Sequence, residues 1–374
     1  MSDAVAVVVE EQLEMAELIA APVGPRSRHF LIDSNVFIKE RVNLDSRLFN
    51  ELKAAVEEFD LVLHFDLLIL FEVTRWLTEQ MEEMAREQRK NAKHIESWNK
   101  RFPLDAVAIG PSIDVSAAVT SVRSRFVLRL LWQYRAVQHD LDTIELPGIL
   151  ERYMARQAPF EARESKEFPD AFIVDAARTW AWENNADVHI VTLDEAMLAH
   201  AGSTPMLVPV KGLPAFLAML AEAKDPEVVA LIDRIVDEQD FIDQLFHRMD
   251  VALRTAEFVY RGTSLEAATV DGTELREIGL TENWKVLSVH GPIVAMTARF
   301  QALVGLEVDW VGQIEDEDGG RAHGRDEWDD EVKGRFFVQY DRLFHNVVRV
   351  EILTSLDFGE PYDEYDDDYF DNDR

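Results

Sequence analysis

Phe30-Leu31-Ile32-Asp33-Ser34-Asn35 is the stretch that decides the fold. His29 to Ile32 reads as a buried strand that stops at an aspartate, and Asn35 to Asp60 then carries helical spacing. The alternation continues outward. Leu61 to Phe65 is a second apolar strand, and Asp66 is placed to cap a helix that runs through Leu70-Phe71-Glu72-Val73 towards Lys100. Phe168-Pro169-Asp170-Ala171 opens another helix, with the proline where a helix start tolerates it. A third strand, Val188 to Thr192, ends in Thr192-Leu193-Asp194, and Leu207 to Val210 is a fourth. Strands that alternate with helices predict an α/β unit with a parallel sheet flanked by helices.

Four carboxylates stand at the turning points of that pattern: Asp33, Glu72, Asp170 and Asp194. In a parallel sheet the strand ends that carry binding loops share one edge, so all four are expected there. Carboxylates gathered together repel one another unless a cation lies between them, and hard oxygen ligands suit Mg²⁺ or Mn²⁺. Asp33 is the expected central ligand, Asp170 and Asp194 its partners, and Glu72 a ligand or a residue that orients water. Ser34, Asn35 and Thr192 are placed to hold those acids by hydrogen bonds, and Lys166 to contact a phosphate. Taken singly, each aspartate reads first as a helix cap or turn residue, and only the ordered set points to a metal. Glu72 is harder to explain that way, because it lies within Leu67-Leu68-Ile69-Leu70-Phe71-Glu72-Val73, where an unpaired charge is costly. Its bland alternative is a pairing with Arg75 or Lys166. Asp175 ranks below Asp170, since five residues on it points elsewhere around the helix, and Glu195 is expected to be exposed.

The composition restricts the partners. The chain has 374 residues, 47% of them apolar, and no cysteine, which removes disulfides, thiolate metal sites and thiol nucleophiles. The formal net charge is −33. Nine acids against two bases lie between Glu315 and Glu331, and nine against one between Asp357 and Arg374, yet the remainder is still acidic. A broad basic groove for nucleic acid is therefore not expected, and any substrate channel must be small or completed by a partner. No apolar run has membrane-spanning length and no secretion pattern opens the chain, so a cytoplasmic protein without membrane contact is expected.

The organisation divides into a helical extension over 1–27, the α/β unit over 28–224, a C-terminal helix plus antiparallel β domain over 225–356, and an acidic tail over 357–374. Val115 to Gln138 reads as one helix carrying Arg123, Arg125, Arg129 and Arg135. Pro147 to Pro169 is the least regular stretch. Glu227 to Leu253 is strongly helical, and short alternating runs follow from Phe258 onward, interrupted by an expected acidic loop at Glu315 to Glu331.

Asp33-Ser34-Asn35, Glu72, Asp170-Ala171 and Thr192-Leu193-Asp194, in this order, resemble the PIN-domain family of metal-dependent ribonucleases over about His29 to Ala215. Pro159-Phe160 and Lys166-Glu167-Phe168-Pro169-Asp170-Ala171-Phe172 look like a bacterial subfamily with an elongated middle section. The resemblance implies an endoribonuclease that uses Mg²⁺ or Mn²⁺ and a metal-activated water, with a toxin or phage-defence role, an RNA substrate, a protein partner or inhibitor, and pairing as a homodimer. Two other readings stand beside it: a PIN-fold scaffold that binds protein without cleaving, and a structure-specific DNA nuclease.

Overall fold

The computed structural model describes residues 23–359 except 140, 142–143, 158–159, 161–167, 225, 263–264, 281–283 and 316–320. The helical extension expected at the N-terminus, apart from its last residues, lies outside the described residues, as do Lys166 and most of the acidic tail. The chain forms two compact units, Pro25–Ala221 on one hand and Gly24 with the residues from Glu222 onward on the other.

The first unit begins with β1 (His29–Ile32) and a short helix α1 (Ser34–Lys39). The long helix expected over Asn35 to Asp60 is in fact broken. Arg41 and Val42 adopt positive φ (55° and 56°), and α2 (Arg47–Phe59) restarts with the Ser46 hydroxyl accepting the Phe49 amide. β2 (Val62–Phe65) leads into α3 (Leu67–Arg101), whose 35 residues span about 52 Å. Only its first third is lined by a run of buried residues, Ile69, Leu70, Val73 and Leu77. Farther along, Gln88 and Asn99 tie down the connecting segment through Pro111, Ile113 and Val107. α4 (Val115–Gln133) stops earlier than the sequence suggests. Arg135 turns the chain with φ 49°, and Val137–Gln138 becomes β3. Within the stretch read as least regular, α5 (Leu146–Ala155) forms, followed by α6 (Phe168–Glu183), β4 (Val188–Thr192), α7 (Glu195–Ser203), β5 (Leu207–Lys211) and α8 (Leu213–Glu222).

The five strands make a parallel sheet in the order β3-β2-β1-β4-β5. All four residues of β1 and all five of β4 are buried, which is why these strands read as unbroken apolar runs. α6 presents Ala171, Ala176, Ala177 and Ala181 among its buried residues, small side chains that allow close packing. Phe37 stacks on Phe49 and meets Phe126 edge-on, with centroids 5.4 and 5.1 Å apart. Each such ring buried contributes about 1.5–3 kcal/mol.

Histidines occupy part of this core. His29, His64 and His139 lie on one face of neighbouring strands. His29 Nδ1 is 3.0 Å from His64 Nε2, and His64 Nδ1 is 2.7 Å from His139 Nε2. The Trp180 indole of α6 covers all three, with centroids 4.6, 4.2 and 6.0 Å from the successive imidazoles. Burial, then the neighbouring His139 and Arg28, hold His64 well below its ordinary pKa, and burial lowers His139 to about 4. A further histidine, His189, accepts the Arg26 amide at Nε2 (3.1 Å), which leaves the proton on Nδ1 to be donated to the His29 carbonyl (3.2 Å).

The second unit packs α9 (Pro226–Val236) and α10 (Gln239–Leu253) with β6 (Phe258–Tyr260), β7 (Leu265–Leu280), β8 (Lys285–His290), β9 (Ile293–Glu315), β10 (Arg321–Asp341), β11 (Asn346–Ile352) and β12 (Leu356–Phe358). The main sheet is antiparallel in the order β11-β10-β9-β7, with β8 also on β9. Its core sets Phe241, Leu245, Met249 and Leu253 of α10 with Val294, Met296, Ala298, Phe300, Ala302, Val304, Leu306 and Val308 of β9. That strict alternation fuses two runs the sequence separates, Ile293 to Ala298 and Leu306 to Val311, into one strand. The acidic loop is also corrected. Arg321 to Glu331 pairs with β9 as strand, because Glu327, Asp329 and Glu331 fall on alternate positions opposite the core-facing Trp328 and Val332. Arg325 of this hairpin bridges acids of two strands, 2.6 Å from Glu307 of β9 and 3.5 Å from Asp271 of β7.

Candidate active site

β1 and β4 are neighbours at the middle of the parallel sheet, but the chain leaves β1 for β2 on one side and reaches β4 on the other. That reversal opens a crevice beyond the carboxyl ends of the two strands, and the residues that follow them line it. Asp33 directly follows β1, and Thr192 ends β4 with Asp194 two residues on. The Asp33 amide donates to the Val191 carbonyl at 3.0 Å, which ties the two strand ends together.

Thr192 organises this junction. Its Oγ accepts from Asn35 Nδ2 (3.0 Å) and from the Asp194 amide (3.0 Å), so its own proton goes to Asp33 Oδ2 at 2.7 Å. Asn35 is held in turn by accepting the Leu193 amide at 3.1 Å. The orientation of Asp33 is therefore fixed from behind by a closed set of hydrogen bonds. Asp33 heads α1 with extended backbone but does not cap that helix, so its carboxylate is not occupied by the duty most common at such a position.

Glu72 lies in the second turn of α3, half-buried, and accepts the Ser34 hydroxyl at 2.5 Å. Arg75, its expected alternative partner, instead reaches Glu79 at 3.8 Å. Asp194 does cap α7, through Oδ1 to the Met197 amide at 2.9 Å, and is exposed. Asp170 sits half-buried in the first turn of α6. A helix that precedes a parallel strand runs back along it, and about 13 residues of rise place Asp170 about 20 Å from the strand's start, at the carboxyl edge. α6 also packs on α3, which carries Glu72.

The electrostatics bring three of these acids together. Burial, followed by Glu72 and then Asp194, drives the Asp33 carboxyl up to about 6, against the Thr192 hydrogen bond that lowers it. Asp66 belongs to the same cluster, a point the sequence reading missed by taking it only as a cap. It does cap α3, accepting the Ile69 amide at 2.9 Å, but it is also fully buried and raised to about 6 by that burial, with Glu72 and Asp33 adding to it. The available signal was its position: like Asp33, it directly follows an apolar strand.

The competing acids and bases are accounted for. Asp175 is buried against Arg178 (3.0 Å) and Arg152 (3.4 Å). Glu195 is exposed and paired with Lys211. Arg129 forms a bidentate pair with Asp45 at 2.7 and 2.9 Å, and Arg135 pairs with Asp60, so two of the arginines of the α4 region are engaged with acids.

Among the described residues, no three histidine, aspartate or glutamate side chains stand close enough to hold an ion as they are arranged. The donor set nevertheless fits a divalent cation. Its oxygens are hard, the central acid is buried, and the charges that raise Asp33 are those a cation would offset.

No helix among the described residues is long and apolar enough to cross a membrane. No curated protein and no solved structure matches the chain. The family model described as PIN domain matches residues 31–197, a little under half of the chain, from within β1 to the first turns of α7. PIN domains are generally nucleases and typically use divalent metals. The matched span covers Asp33, Glu72, Asp170 and Asp194 together with the three central strands of the sheet, and residues 31–197 of this chain are a PIN domain.

Proposed function

We propose that the PIN domain is an endoribonuclease that hydrolyses RNA phosphodiester bonds with Mg²⁺ or Mn²⁺. The observation that carries the reading is the buried Asp33 carboxyl, locked by Thr192 at the sheet's switch point and pressed by Glu72 and Asp194. Asp33, Asp170 and Asp194 are the residues assigned to hold the cation. When bound, the metal would polarise a phosphate and acidify a water. Glu72, with one oxygen fixed by Ser34, orients that water and takes its proton. Asn35 and Thr192 keep Asp33 from rotating away, and Lys166 is assigned to the phosphate.

RNA is favoured over DNA by the family resemblance, and the acidity of the chain favours a small channel and single strands. The same acidity favours a second component, either a partner or inhibitor or a second copy of the chain. Leu128, Leu131 and Trp132, exposed on α4, are the apolar surface it would cover. Light scattering of the purified chain tests the homodimer, and a monomer at micromolar concentration removes it.

The deciding experiment incubates the full chain with a mixed RNA pool and with single- and double-stranded DNA, with Mn²⁺ or with chelator. Metal-dependent RNA fragments that vanish in Asp33→Asn and Asp170→Asn support the proposal. Cleavage of DNA alone moves the assignment to a DNA nuclease. Intact RNA and DNA in every lane leaves the protein-binding scaffold.

A further inference from the structure

Asp66 carries more charge than its structural role uses. Leu31 lies beside His64 in the parallel register of β1 and β2, so Asp33 and Asp66 leave neighbouring strands at the same level. Parallel strands are about 4.8 Å apart, which makes these two acids lateral neighbours at the sheet edge. Asp66 is fully buried. Its Oδ1 accepts the Ile69 amide at 2.9 Å and caps α3, while its Oδ2 is buried with no hydrogen-bond partner.

Capping requires one acceptor oxygen. A serine or asparagine provides that oxygen without a charge, and such caps are as good as aspartate. An aspartate here instead buries an ionisable carboxyl with a bare oxygen, next to Asp33 and Glu72, the two acids whose charge reaches it. Buried polar atoms are nearly always satisfied, and an orphan carboxylate oxygen amid like charges is among the costliest exceptions. The deficit is specific: Oδ2 lacks a positive partner, and so does the cluster as a whole. A water molecule would satisfy the oxygen but not the charge.

We infer that Asp66 is a further ligand for the divalent cation, offering Oδ2 beside Asp33 and Glu72 while Oδ1 keeps the helix capped. The inference rests on the metal-dependent reading above and adds an acid to the set of Asp33, Glu72, Asp170 and Asp194. Binding through one oxygen and capping through the other makes the start of α3, and with it the placement of Glu72, sensitive to whether the cation is present.

Asp66→Asn and Asp66→Ser both retain a capping acceptor and remove the charge, so the fold is preserved by design. Mn²⁺ binding to the full chain is followed by the electron paramagnetic resonance of free Mn²⁺, with Asp33→Asn as the reference loss and Glu195→Gln as the surface control. Both Asp66 variants are expected to weaken Mn²⁺ binding tenfold or more, and Glu195→Gln to leave it unchanged. Wild-type affinity in the Asp66 variants, alongside a loss in Asp33→Asn, would reduce Asp66 to a cap and overturn the inference alone. A wild-type chain that takes up no Mn²⁺ overturns the inference and the metal-dependent function together.

Discussion

Asp33, Asp66 and Glu72 lie within electrostatic reach of one another beyond the carboxyl ends of the parallel strands, while His29, His64 and His139 cross one face of the same sheet. Both groups place ionisable side chains in the interior, and they resolve the cost of burial in opposite ways. His64 and His139 give up their charge. Neutral imidazole carries one donor and one acceptor, so consecutive rings bond each other under the Trp180 face, and the last ring keeps one buried nitrogen, His139 Nδ1, without a partner. The carboxylates have no such solution. An ionised carboxylate only accepts, and the donors that reach these acids (the Thr192 and Ser34 hydroxyls and the Ser34, Leu68 and Ile69 amides) do not offset their burial. Asp33 and Asp66 are left with raised pKa values of about 6. A neutral cluster whose rings bond one another is a structural device, and a cluster short of positive charge requires something from outside.

Asp33→Asn breaks the acid side most severely. RNA cleavage is expected to fall about a thousandfold, equivalent to about 4 kcal/mol of barrier. Stability should move the other way: in divalent-free buffer at pH 7 the variant should resist urea slightly better than wild type, because a buried charge is gone. A variant that loses activity and stability together would mean that Asp33 holds the fold and that the contrast between the clusters is false. The histidine side breaks differently. His64→Ala removes a fully buried ring, leaves a cavity and strands ring nitrogens of His29 and His139, so about 3 kcal/mol of stability should be lost in urea titration. Cleavage per folded molecule should hold, and a loss of turnover with intact stability would make the histidines part of the chemistry.

The two clusters also differed in how visible they were in the sequence. Asp33, Glu72 and Asp194 could be placed because apolar strands stop abruptly at a carboxylate and because Glu72 interrupts an apolar helix. The histidines sit inside runs such as His29-Phe30-Leu31-Ile32 and Val62-Leu63-His64-Phe65, where spacing offers no partner. Their pairing depends on strand register, which sets Leu31 beside His64 and His64 beside Val137. That last contact runs through β3, which is two residues long and hidden behind a helical pattern. Asp66 was legible as a cap and illegible as a member of the cluster for the same reason: its neighbours come from β1 and the second turn of α3. In the C-terminal unit the polar residues between the expected short strands concealed continuous alternation from Val294 to Val308. Acids on the outward positions of β10 looked like a loop because solvent and side chains of neighbouring strands, Arg276 at Asp329 and Gln301 at Glu331, satisfy them rather than sequence neighbours.

Thr192→Val sharpens the acid side by a smaller step. The substitution keeps the volume in β4 but removes the hydroxyl that donates to Asp33 and accepts from Asn35 and Asp194. Such supporting partners are worth about 10–100-fold in metal affinity. Mn²⁺ affinity and cleavage should fall together by that factor, with Thr192→Ser restoring most of both. Equal losses in the serine variant would assign the effect to strand packing rather than to the hydrogen bond.

The smallest effect comes from setting the clusters against each other through pH. His64 and His139 of the cluster are lowered by burial, His139 to about 4, and so is His200, a buried histidine of α7 outside the cluster, to about 4, so the unfolded chain, with histidines near 6.5, binds more protons below that value. Their contribution to stability is complete above about 6.5 and is lost as pH falls towards 4, with a slope of about 1.4 kcal/mol per pH unit for each group. Asp33 and Asp66 act with the reverse sign. Their folded values of about 6 lie above the ordinary 3.8, so the folded chain binds the extra protons, and stability rises as pH falls through 6. In divalent-free buffer the carboxyls should offset part of the histidine slope in urea stability between pH 6 and 4.5. Removing the carboxyls in an Asp33→Asn, Asp66→Asn double variant should uncover the histidine slope, so that acid destabilises the variant more steeply than wild type over that interval. Parallel curves would mean that the carboxyls are not strained by burial, and the electrostatic difference between the two clusters would disappear with them.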